Sequence, residues 1–211
     1  MRTDLRPRFH RELAAVDDKV CRMFELLQSS LADATRVLTT GDREGAVAVV
    51  EADAAIDALD KELEASITRI LHLQSPMASD LRYLVTVLRV APELERSADL
   101  VEHIAARVAY GLVTELTPPL IELVQRMGSV AERMWSTASV AWIDRTPETA
   151  AELEALDDQM DALHDELRDH LQKGALPLGP AVEMALVGRF YERLGDHALH
   201  VTERLGYAAG A

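Results

Sequence analysis

Glu95-Arg96-Ser97-Ala98-Asp99-Leu100-Val101-Glu102-His103 returns 97 residues later as Glu192-Arg193-Leu194-Gly195-Asp196-His197-Ala198-Leu199-His200. Both copies read ERxxDxxxH. Arg107 with Arg204, and Tyr110 with Tyr207, carry the match further. Self-similarity of this kind marks a duplicated structural unit. A second pair of segments repeats upstream of the first. Val49, Ala52, Ile56, Leu59, Leu63 and Ile67 form an apolar stripe, and Leu153, Leu156, Met160, Leu163, Leu167 and Leu171 form another at a constant offset of 104. An aspartate follows the second and third stripe positions in each: Asp53 and Asp57, then Asp157 and Asp161.

Apolar residues spaced three and four apart describe one face of an α-helix. The same spacing runs through Phe9, Leu13, Val16, Val20, Met23, Leu27, Leu31, Ala34 and Leu38. Breakers are few. Gly41-Asp42, Ser75-Pro76, Gly111, Pro118-Pro119, Asp144 to Pro147, and Gly174 to Pro180 interrupt an otherwise helical pattern, and no strand-like alternation occurs. Helices are predicted over residues 4–40, 43–74, 77–110, 118–142, 147–173 and 180–208, with Thr146 as cap and Pro147 as first helical residue of the fifth. Pro92 falls inside the third and predicts a kink or local irregularity there. The expected fold class is all-α: six helices forming two pseudo-repeated antiparallel three-helix bundles, residues 1–112 and 113–211.

Composition narrows the function classes. The chain has 211 residues, 48% of them hydrophobic, which is enough for a packed core. Net charge is −14, with no dense basic cluster; Asp4 and Glu12 interrupt Arg2, Arg6, Arg8 and Arg11. Such a polyanion is repelled by nucleic acid and by anionic membranes. Cys21 is the single cysteine, so no intrachain disulfide forms, and it reads as a core filler. Trp135 and Trp142, seven apart, read as core or interface anchors. No apolar run approaches the ~20 residues that span a bilayer, and no leader-like start is visible. The expected location is the cytoplasm, without membrane insertion.

Four helices thus each carry two carboxylates one turn apart: Asp53 and Asp57, Glu95 and Asp99, Asp157 and Asp161, Glu192 and Asp196. Like charges so placed cost an isolated helix ~0.2–0.5 kcal/mol per pair. Hairpin connections set the second helix beside the third, and the fifth beside the sixth, so that two pairs converge in each half. Four hard oxygen donors suit Mg²⁺, Mn²⁺, Ca²⁺ or iron. His103 and His200, one turn further on, would add nitrogen and favour iron or zinc. Acidic residues at helical spacing commonly form a solvated face, and the stripe angle sets these at the bundle surface. Their repetition in register is what favours ligand binding. Taken one by one, His103 and His200 read equally as surface or packing residues, and Arg96 and Arg193 as neutralising neighbours or plain surface arginines.

These segments resemble the PhoU family. The resemblance rests on Asp53-Ala54-Ala55-Ile56-Asp57, on Pro76-Met77-Ala78-Ser79-Asp80-Leu81-Arg82, on Glu95-Arg96-x-x-Asp99 and on Glu192-Arg193-Leu194-Gly195-Asp196-His197. Their order covers almost the whole chain. The resemblance implies metal held on the bundle surface by the eight carboxylates named above. It implies a structural or partner-contact role for Asp80, with Arg82 beside it. It further implies a negative regulator of phosphate uptake and of the phosphate-starvation response. Such a regulator, a homodimer and not an enzyme, links the phosphate transporter ATPase (PstB-like) to a phosphate sensor histidine kinase (PhoR-like). This chain departs from the family at Ser97-Ala98, where Ile-Gly is usual, and at His103 and His200, where Asn is common. The competing readings are a di-iron carboxylate enzyme and a metal-free helical scaffold. The first needs Glu-x-x-His on two helices; the nearest sequence is Asp161-Ala162-Leu163-His164, present once.

Overall fold

The computed structural model describes residues 7–146 and 149–209. Its helices are α1 (Pro7–Thr40), α2 (Arg43–Gln74), α3 (Ser79–Ala106), α4 (Pro118–Asp144), α5 (Ala150–Gln172) and α6 (Leu178–Ala209). Two short 3-10 turns, Arg107–Tyr110 and Leu112–Glu115, link α3 to α4. No strand occurs among the described residues. Helices α1, α2 and α3 pack on one another, as do α4, α5 and α6. The two bundles meet where α1 lies on α4 and α3 on α6, leaving α2 and α5 on the outside.

The stripes found in the sequence make these contacts. Val16, Val20, Met23, Leu27, Leu31, Ala34 and Leu38 of α1 are buried, as are Ile56, Leu63 and Ile67 of α2 and Leu153, Leu156, Met160 and Leu167 of α5. Each fully buried aliphatic side chain contributes roughly 1.5–3 kcal/mol by leaving water. One contiguous apolar cluster runs through all six helices. Trp135 and Trp142 are fully buried within it, and Cys21 packs partly buried against it.

Backbone chemistry sets the ends. Gly41 takes φ +75, and a Cβ there would come within 2.6 Å of Val113 Cγ1, so glycine is required on both counts. Asp42 then caps α2, its side chain accepting from the Gly45 N–H at 2.9 Å. Ser75 closes α2 in the left-handed region.

Several expected boundaries move. The third helix leaves α geometry at Ala106, not at 110, because the left-handed Gly111 (φ 68) draws its N–H back to the Val108 carbonyl at 3.0 Å and tightens the last turn. The fourth runs to Asp144 and stops at Arg145, which adopts φ 55. The fifth starts at Ala150 after Thr149; Pro147, predicted as its first residue, lies outside the described residues, as do residues 4–6 of the first. The sixth starts at Leu178, since Pro180 in a first turn lacks only an N–H that would have no partner anyway. Pro92 stays inside a continuous α3. It removes the donor for the carbonyl of Leu88, a residue exposed enough for water to replace it.

The two bundles are locked by a buried hydroxyl pair. Thr35 Oγ1 on α1 and the hydroxyl of Tyr191 on α6 lie 2.8 Å apart. Gly128 of α4 presses against the same threonine, where a Cβ would sit 2.5 Å from Thr35 Cγ2 and Oγ1. Gly128→Ala is therefore expected to destabilise the chain by about 1–3 kcal/mol through overpacking, although alanine is the better helix former. The midpoint of urea unfolding measures it.

Candidate metal-binding faces

The first acidic face lies between α2 and α3. Asp53, Asp57, Glu95 and Asp99 are all partly buried there. Burial, reinforced by the charges of Asp99, Asp57 and Glu102 and partly offset by His103, pushes the Asp53 carboxyl from 3.8 up to about 6. Glu95 is raised by burial and then by Asp99, Asp57 and Asp60, with Arg96 opposing. Asp57 and Asp99 thus act on both Asp53 and Glu95. Asp53 Oδ1 is buried without a hydrogen-bond partner. An orphaned anionic oxygen among further carboxylates suits a hard cation chemically, although among the described residues the donors standing within 4.8 Å of one another are those of Glu93, His197 and His200 and not these four. Asp60 and Glu102 join this face and were not singled out in the sequence. Glu102 lies three residues beyond Asp99, which is the signal that places it one turn on.

The second face lies between α5 and α6. Asp157 is likewise pushed up to about 6, by burial and then by Asp161, Asp196, Asp158 and Glu192. Asp161 is exposed, Asp196 partly buried, and Glu192 is tied to Arg189. Here Gly195 lets the helices approach: a Cβ on it would stand 3.0 Å from Asp157 Oδ1. Its counterpart in the first repeat is Ala98, which carries that Cβ. The two faces share their charge pattern and differ at this position, alanine in the first and glycine in the second.

The remaining predicted residues fall as follows. His103 is exposed, its Nδ1 3.5 Å from Glu102 Oε2 and its ring 5.6 Å from that of Phe190. Arg96 lies 3.6 Å from Glu93, and Arg193 is exposed. Asp80 and Arg82 open α3 after a turn in which Ala78 adopts φ 49; Asp80 donates its N–H to the Met77 carbonyl at 3.2 Å, and Arg82 Nε is buried without a hydrogen-bond partner.

His200 is drawn away from the acidic face. Its Nδ1 lies 3.8 Å from Glu93 Oε2, the same oxygen that meets His197 Nδ1 at 2.6 Å. Neither Glu93 nor His197 stood out in the sequence, because the contact crosses from α3 to α6. The His197-x-x-His200 spacing was the available clue. Glu93 is the single buried carboxylate among the described residues. The ferritin-like di-iron arrangement, by contrast, points a Glu inward from each of four helices.

The raised carboxyls predict a pH dependence. Asp53 and Asp157 bind protons more tightly folded than unfolded, so their contribution favours the fold below about pH 4 and is lost as pH rises through 6. In chelator, the melting temperature of Asp53→Asn/Asp157→Asn should exceed that of the parent chain at pH 7. The gap should close as the pH falls towards 4.

The family model described as "PhoU domain" matches residues 20–108 and 124–205. A phosphate-specific transport system accessory protein PhoU homolog of Zymomonas mobilis is 27% identical over 205 residues, spanning 95% of this chain and 86% of its own. Homolog 2 of Mycobacterium tuberculosis is 29% identical over 208 residues, spanning 97% and 98%. The crystal structure of PhoU from Pseudomonas aeruginosa superposes with a TM-score of 0.88 at 25% identity, covering 96% of this chain and 99% of that one. The phosphate transport system regulatory protein PhoU from Streptococcus pneumoniae gives 0.85, also at 25% identity, covering 96% and 97%. Among the described residues no helix is long and apolar enough to cross a membrane.

Proposed function

This chain belongs to the PhoU family, and we propose that it restrains phosphate uptake and the phosphate-starvation response by contact rather than by catalysis. In this reading it works in the cytoplasm as a homodimeric adaptor between the ATPase of the phosphate transporter and a phosphate sensor histidine kinase. Residues 1–112 and 113–211 are its two repeats. Each repeat holds divalent metal on its acidic face: Asp53, Asp57, Glu95 and Asp99 in the first, Asp157, Asp161, Glu192 and Asp196 in the second. The family match across both halves carries the regulatory assignment. The orphaned Asp53 oxygen within a carboxylate cluster supports the metal. Exposed Leu73, Met77 and Leu81 around the α2–α3 turn, next to Asp80, offer apolar surface for a protein contact.

The test is genetic. Deleting the gene in its host should raise phosphate uptake and switch on a phosphate-starvation reporter in phosphate-rich medium. An unchanged reporter and unchanged uptake, in a strain lacking any paralogue, would refute the assignment.

A further inference from the structure

Glu93, His197 and His200 form a cluster separate from both acidic faces. Glu93 comes from α3, and the two histidines stand one turn apart on α6. The side chains of Glu93 and His197 are 11% and 9% exposed, whereas that of His200 is 46% exposed. One donor atom from each of the three falls within 4.8 Å of the other two. His197 Nε2 is buried without a hydrogen-bond partner, so the ring is not held by polar contacts on both of its nitrogens.

The duplication shows that the fold itself does not call for these residues. Shifted by the repeat offset of 97, Glu93, His197 and His200 correspond to Phe190, Leu100 and His103. At that equivalent place the His103 ring rests on Phe190, and the carboxylate beside it is its own chain neighbour Glu102, with none buried across the helix contact. One half of the duplicated frame therefore carries a ring contact where the other has buried a carboxylate facing two imidazoles.

We propose that Glu93, His197 and His200 bind one divalent transition-metal ion of the zinc class. One carboxylate oxygen and two imidazole nitrogens match the donor preference of Zn²⁺, with bonds of about 2.0–2.2 Å. The Glu93–His197 hydrogen bond gives way on binding: its proton is released to solvent, and the two atoms separate to take the ion between them. Arg96, 3.6 Å from the other carboxylate oxygen, steadies Glu93 from outside. Three protein ligands leave a fourth position open, on the solvent side marked by His200, for water or for a donor from a docking partner. Glu93 belongs to the first repeat and the histidines to the second, so the ion ties the two bundles together. The nitrogen donors separate this site from the oxygen-only faces.

The experiment titrates the intact, chelator-stripped chain with Co²⁺ and then with Zn²⁺. The parent chain should develop the visible bands of a four-coordinate cobalt centre with one equivalent, and Zn²⁺ should abolish them. Six-coordinate cobalt on the carboxylate faces absorbs far more weakly. His200→Ala, at an exposed position, should keep the metal-free melting temperature, lose the bands and bind at least about tenfold more weakly. Zinc should raise the melting temperature of the parent and not of His200→Ala. Glu93→Gln should behave like His200→Ala, while Asp99→Asn/Asp196→Asn should retain the bands. A parent chain without four-coordinate bands, or a His200→Ala variant that keeps them, would overturn the site.

Discussion

Trp142→Ala should cost the protein about 3–5 kcal/mol, the usual range for emptying a fully buried tryptophan site. The side chain is fully buried at the end of α4. Its ring lies 6.3 Å from Phe24 of α1 and 6.1 Å from Tyr83 of α3, and the Arg145 guanidinium covers it at 4.4 Å. Its indole N–H donates to Asp17 Oδ1 at 3.0 Å. That same oxygen accepts from the Tyr83 hydroxyl at 3.1 Å and pairs with Arg145. One tryptophan therefore joins α1 and α3 of the first repeat to α4 of the second, by packing and by a shared acceptor. Truncation opens a cavity and removes one of the donors on Asp17. Because the apolar cluster is continuous through both bundles, urea should unfold the variant in one transition at a lower midpoint. Two separated transitions would show that the repeats are independent folding units.

Neutralising the acidic faces should remove metal in two steps. Chain purified without chelators or metal-affinity steps should carry divalent ions by elemental analysis. Asp57→Asn/Glu95→Gln/Asp99→Asn should lower that content, and adding Asp157→Asn/Glu192→Gln/Asp196→Asn should lower it again. Each set removes direct ligands, so affinity should fall by more than the roughly 10–100-fold that follows loss of an outer-shell partner. The fold should survive, because like-charge pairs one turn apart destabilise a helix and their removal relieves it. Unchanged metal content after the first set would exclude the α2–α3 face.

The fold was readable because its signal is periodic and repeated. The stripes at offset 104 and the ERxxDxxxH pair at offset 97 define helices by their apolar faces, and these are the faces the core uses. Helix ends were less legible. The Ser75-Pro76 breaker marked the end of α2 at residue 74, where it falls, whereas Arg145 stops α4 in the left-handed region although it is not glycine, two residues beyond the expected end. The acidic faces were named from spacing within single helices, which holds wherever adjacent helices are joined by short links. Glu93 with His197 escaped for the opposite reason: α3 and α6 are distant in sequence, and nothing in either helix alone states which of its sides meets the other. Spacing also set Asp53 at the surface, about 100° from its stripe. In the folded chain it is partly buried, one of its oxygens wholly so, and that burial is the largest cause of its raised carboxyl pKa.

The most direct test of the central claim joins the faces to the regulation. In a strain deleted for this gene, the intact gene should restore low phosphate uptake and a silent starvation reporter in phosphate-rich medium. A gene carrying Asp53→Asn/Asp99→Asn/Asp157→Asn/Asp196→Asn, expressed to the same level as folded protein, should restore neither. Full restoration by that variant would contradict the account, since regulation would then proceed without the carboxylates on which the two faces depend.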